Sequence, residues 1–143
     1  TGVALAVPSS STLTSFKSLG EHTKVGVQVG SVAAMIIGQR RVPTSTFGFE
    51  SDSLDAVSNH EIDAAAVTPT AASYFNLTHP DKALRILDRD ESVVDLNWNV
   101  AVGMIRPDDA LREAIDGAVE RLRSDGTIER IYGRYGIVLQ APR

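Results

Sequence analysis

The chain has no cysteine, which excludes disulfides, thiolate metal sites and thiol nucleophiles. It has no long apolar run: the longest, around Val32–Ile37, falls far short of the ~20 residues that a membrane-spanning helix needs. Tryptophan occurs once, as Trp98, and there is no basic patch with interleaved aromatics, so nucleic acid has no evident docking surface. The three histidines, His22, His60 and His79, are scattered through polar segments without the spacing of a metal pair on a helix. There is no Gly-x-Ser-x-Gly elbow for a nucleophilic serine, no repeat and no low-complexity tract. Nothing in the sequence designates a catalytic residue, a metal or a cofactor. Glu61 and Asp63 flank Ile62 beside a strand start and read as a solvated turn before they read as an acid/base pair. Asn76-Leu77-Thr78 matches a glycosylation acceptor, a pattern common by chance.

What is present describes one domain, or one and a part, in 143 residues. An apolar fraction of 43% is enough for a core, and 22% charged residues with a net charge of −4 make an ordinary water-facing surface. The chain opens on Thr1-Gly2 without a signal-peptide pattern, as expected of a processed or trimmed piece.

Lys24-Val-Gly-Val-Gln-Val-Gly-Ser-Val-Ala-Ala-Met-Ile-Ile37 reads as strand, tight turn, helix. A helix start carries unpaired N–H groups and a partial positive charge. Gly30 clears the approach and Ser31 adds a hydroxyl, so an anion is well served there, although any α/β protein contains such turns. Thr68-Pro69-Thr70 follows the short apolar strand Ala64–Val67, and ligands of open α/β sheets gather at the carboxyl ends of strands. Gly30, Ser31, Val32, Thr68 and Pro69 are therefore the candidate ligand-binding residues, with Trp98 as a stacking surface or a core filler.

Further strands are predicted over Val3–Val7, Ser45–Phe49 (with Phe47 and Phe49 on one face), Leu84–Leu87 and Val100–Ile105. Helices are predicted over Val32–Arg40, from an Asp52 cap to Asn59 with Leu54 and Val57 buried, and over Pro69–Phe75. The tail is helical. Asp108 and Asp109 open a helix with the apolar stripe Leu111, Ile115, Ala118, Val119 and Leu122, closed by Ser124-Asp125-Gly126. Thr127 then caps a last helix that turns Ile128, Ile131, Tyr132 and Tyr135 inward and stops at Gly136. This alternation predicts an α/β fold, a mixed and mostly parallel sheet flanked by helices, over residues 1–106, with C-terminal helices over 107–143.

Read in order, these segments resemble bacterial extracellular solute-binding proteins of family 3. Phe16-Lys-Ser-Leu19 with Lys24-Val-Gly-Val-Gln-Val-Gly-Ser31 is similar to the family's sub-domain loop and its Val-Gly-Val-Gln strand. Leu54-Asp-Ala-Val57 with His60-Glu-Ile-Asp-Ala-Ala-Ala-Val67 resembles the helix and strand that follow, and Val100-Ala-Val-Gly103 the returning hinge strand. The most specific element is the tail Leu122-Arg-Ser-Asp-Gly-Thr-Ile-Glu-Arg-Ile-Tyr-Gly-Arg-Tyr-Gly136. The resemblance implies one lobe of a type II periplasmic binding protein, the second, plus the closing helices.

It further implies a periplasmic component of an ABC importer that closes two lobes on a small polar or anionic solute and hands it to a permease. It implies no enzymatic activity, although some proteins of this fold are cyclohexadienyl-type dehydratases. The helices that normally pack partly on a first lobe imply self-association of this chain. One departure stands out: amino-acid binders of the family place an aspartate where this chain has Thr68. A hydroxyl lacks the charge that pairs with an ammonium group. Ile62-Asp63 through Tyr74-Phe75 also resembles a branch associated with periplasmic quinoprotein alcohol dehydrogenases, which implies an alternative partner, the dehydrogenase itself.

Overall fold

A computed structural model describes residues 1–87 and 96–139. The chain divides into two compact units, Thr1–Trp98 and Asn99–Arg143. The first is built on β1 (Ala4–Val7), β2 (Val25–Gln28), β3 (Thr44–Phe47), β4 (Ala64–Val67) and β5 (Arg85–Leu87), in the sheet order β3-β2-β4-β1-β5. β2 runs parallel to both β3 and β4, while β1 is antiparallel to its neighbours β4 and β5. The sheet is thus mixed, with one strand opposed to the rest.

Side-chain alternation sorts residues onto the two faces. Leu5, Val7, Val25, Val27, Ala64 and Ala66 lie on the face covered by α1 (Val32–Gln39), whose Ala33, Ile36 and Ile37 complete that core together with Phe16. Ala6, Ala65 and Val67 lie on the other face, under α2 (Glu50–Ser58) and α3 (Pro69–Thr78), which supply Leu54, Val57, Ala72 and Phe75. Both faces of β1 and β4 are buried, which is why these strands are continuous apolar runs. A fully buried Leu5 or Val25 contributes about 1.5–3 kcal/mol each.

Gly26 is where α2 sits down on the sheet. A Cβ there would lie 3.1 Å from Ser53 Cβ and 3.1 Å from the Phe47 ring, so only glycine permits this close approach. Ser53, completely buried, donates its hydroxyl to the Glu50 carbonyl at 2.7 Å.

The second unit contains α4 (Asp109–Ser124) and α5 (Thr127–Arg134). Asp108 caps α4 by accepting from the Leu111 N–H at 2.7 Å. Gly126 turns the chain with φ +73°. α5 closes in a Schellman motif: the Ile137 N–H reaches the Tyr132 carbonyl, and the N–H of Gly136 (φ +70°) reaches Gly133.

Five local expectations are corrected. Val100–Ile105 is not a strand; Val100 and Ile105 are 75% and 96% exposed, and β-branched residues make a strand only where an edge offers hydrogen bonds. Phe49 does not share a strand face with Phe47. The ladder stops at Phe47, and Phe49 stands exposed as the residue before α2. Asp52 is not the cap of α2, which starts earlier, at Glu50; both carboxylates lie in the first turn, where the helix dipole favours them. Thr127 does not cap α5. Asp125 does the equivalent work, its carboxylate accepting the Thr127 N–H at 2.8 Å. Ile131 and Tyr135, expected to face inward, are half exposed in the described residues.

Candidate functional site

β2, β3 and β4 end side by side, at Gln28, Phe47 and Val67. The antiparallel β1 begins at this same end, since Ala4 lies opposite Val67. Thr1 and Trp98 exchange backbone hydrogen bonds there, at 2.9 and 3.0 Å. The topology therefore carries Gly30, Ser31, Val32, Thr68, Pro69 and Trp98 to one end of the sheet. That is the end where helix starts point at a ligand.

Each has a local reason for its place. The Ser31 N–H closes a turn on the Gln28 carbonyl at 3.2 Å, and Gly30 sits in that turn with φ +70°. No atom lies within 4 Å of where a Gly30 Cβ would stand. The glycine is thus demanded by the backbone and not by crowding within the protein. Ser31 caps α1, its Oγ accepting from the Ala34 N–H at 3.1 Å, which spends that hydroxyl oxygen on the helix. Val32, first in α1, is 41% exposed, and Trp98 is 38% exposed. Pro69 occupies the first turn of α3, where its missing N–H costs nothing.

Thr68 caps α3, accepting from Ala71, and is itself held by a residue that sequence reasoning missed. Glu50, at the start of α2, accepts the Thr68 N–H at 2.6 Å through Oε1 and the Thr68 hydroxyl at 2.8 Å through Oε2. α2 follows β3 and α3 follows β4, and β2 lies between those strands, so the bond pair links the two elements that flank the Gly30 turn. Two acidic residues soon after a strand end were a usable signal. A cap at Asp52 would leave Glu50 outside the helix, whereas α2 starts at Glu50.

The other candidates are tied to structural tasks. Asp63 Oδ2 accepts the Lys24 N–H at 2.7 Å and anchors the start of β2. Asn76 exchanges two hydrogen bonds with the Leu84 backbone, at 2.7 and 2.8 Å, so the amide of the glycosylation pattern fastens the approach to β5. His79 stacks on Phe75 with centroids 4.5 Å apart. His22, His60 and Asp63 line an open groove of about 440 Å³. It opens at the amino ends of β2 and β4, the opposite end of the sheet from Gly30 and Thr68. Among the described residues, no group of three or more histidine or acidic side chains is arranged to hold a metal, and no helix is long and apolar enough to cross a membrane.

No protein-family model matches the chain, and no curated protein matches it. Solved structures do match. An ancestral arginine-binding protein bound to arginine is 22% identical with a TM-score of 0.68, over 94% of this chain and 59% of its own. An ancestral cationic amino acid solute-binding protein is 19% identical with a TM-score of 0.76, over 94% and 58%. The cysteine-binding protein of Campylobacter jejuni is 19% identical with a TM-score of 0.65, over 94% and 52%. The chain has the fold of one lobe of a type II periplasmic binding protein. It spans less than two thirds of the length of these structures.

Proposed function

We propose that this chain forms the second lobe and terminal helices of the periplasmic solute-binding component of an ABC-type importer. The observation that carries the reading is the shared strand end. β2 and β4 are adjacent and parallel, and each runs into a hydroxyl-capped helix start, at Ser31 and at Thr68. The solved structures of the same fold named above are amino-acid-binding proteins. In this reading Gly30 and Val32 offer backbone N–H groups to an anionic group of a small polar solute, Ser31 closes the turn that presents them, and Thr68 and Pro69 form the adjoining wall. Trp98 flanks the site beside β1. The first lobe closes over the solute by hinge motion, and the closed form engages the permease. The role is binding and not catalysis.

Calorimetry on the natural full-length protein, with amino acids, organic acids and other small polar solutes, is expected to give saturable binding to at least one class. Binding to none overturns the proposal. Co-purification with a quinoprotein dehydrogenase in place of a permease would replace it with an accessory role.

A further inference from the structure

We infer that Glu50 sets the charge of the solute, its carboxylate receiving a cationic group, an ammonium above all, beside Thr68. The inference rests on the solute-binding reading and deepens it. Both Glu50 oxygens are already fixed in place, one by the Thr68 N–H and the other by the Thr68 hydroxyl. The hydroxyl proton is committed to Glu50, which leaves the Thr68 oxygen to accept from the Thr70 hydroxyl at 3.0 Å and from the Ala71 N–H at 3.3 Å. The start of α3 is thus filled by a carboxylate of the protein itself, and a solute anion would meet that charge in place of open N–H groups.

Glu50 is also short of positive charge. Among the described residues the ion pairs are Arg112–Asp109 and Arg123–Glu120, both within α4, and no lysine, arginine or histidine is paired with Glu50. A half-buried carboxylate offers about four acceptor positions, and the Thr68 bonds use two. Its remaining acceptor capacity stands at the strand end that carries the proposed site. Thr68 has no charge for an ammonium group, and Glu50 supplies one from a different helix. With the α1 start taking an anionic group, the two sides together favour a dipolar solute.

The experiment compares probes and variants on the natural full-length protein. L-arginine and L-glutamine carry an ammonium beside a carboxylate, and succinate carries carboxylates alone. The parent is expected to bind an amino acid and not succinate. Glu50→Gln is expected to weaken that binding by about tenfold or more, the worth of one charge-assisted hydrogen bond. Glu50→Asp keeps the charge and is expected to retain part of the affinity.

Equal affinity of Glu50→Gln and parent for the amino acid would make Glu50 a structural clasp between α2 and α3 and overturn the inference. So would preference of the parent for succinate, a result that needs no variant to fold and leaves the solute-binding reading standing. Absence of binding to every probe in the wider panel overturns that reading and the inference with it.

Discussion

At Gly30 the backbone and the ligand make separate demands that substitutions can part. With φ +70° and open space around the missing Cβ, the residue is required for its conformation. Gly30→Val brings a β-branched side chain into the left-handed region and is expected to cost about 1–2 kcal/mol of stability before any ligand is considered. Gly30→Asn tolerates that conformation and places a side chain in the open space. It is expected to melt near the parent temperature yet lose solute affinity; normal affinity would make the turn a structural corner only. Thr68→Asp introduces a carboxylate where Glu50 now takes two hydrogen bonds, at 2.6 and 2.8 Å. The two like charges repel while both groups are ionised, and the hydroxyl that donated to Glu50 is gone. The folded variant carries that repulsion and the unfolded chain does not, so the cost is present at neutral pH and is relieved as the carboxylates take up protons in acid. Thermal melts should show a deficit of about 1–3 kcal/mol against the parent at neutral pH, shrinking toward pH 4. A deficit that does not change with pH would contradict the Glu50 contact.

Among the elements, the start of α5 shows how one exposed side chain gives a helix a pH dependence. Hydrogen bonds from Thr127 hold the Asp125 carboxyl below its usual value of 3.8, and the nearby Arg130 charge acts in the same direction. A depressed folded value means a contribution that is present above the unfolded value and lost as pH falls through the folded one. Amide signals of Thr127 and Ile128 are therefore expected to shift below about pH 4 in the parent and to stay level in Asp125→Asn. Identical titrations in the two proteins would dismiss the cap. β4 was legible from the sequence to the residue, since a run of small apolar residues bounded by Asp63 and by Thr68-Pro69 admits little else. The helix start at Glu50 and the absence of a strand at Val100–Ile105 were not. Both depend on partners distant in sequence: Thr68 for Glu50, and a neighbouring edge that Val100–Ile105 does not find. The candidate site was legible only in part for the same reason. Gly30, Ser31 and Thr68 announce themselves by local turn chemistry, whereas Glu50 matters through a bond to a residue eighteen positions away.

For the whole molecule, the two units differ in how they hold themselves together. Thr1–Trp98 buries two continuous cores, whereas no residue of α4 or α5 is fully buried. Leu111, Leu122, Ile131 and Tyr135 remain 43–50% exposed on these helices. Apolar surface of this kind associates. Sedimentation of this chain is expected to show dimers or larger species that dissociate on dilution, and Leu122→Glu combined with Ile131→Glu is expected to favour the monomer. A clean monomer at high concentration would show that the surface is inert.

The place of β1 has a consequence for how the protein comes into being. Within this sheet Ala4–Val7 comes first in sequence, yet it belongs between two strands made much later, β4 and β5. Such pairings are costly in chain entropy and form slowly. The parallel set β3-β2-β4 with α1 and α2 is complete within a shorter stretch of chain and can assemble first. A nascent chain emerging from the ribosome thus carries its most apolar strand without a finished slot until Leu87 has been synthesised. Chains cut before β5 are the ones a chaperone should hold, because they present β1 with one of its two edges bare.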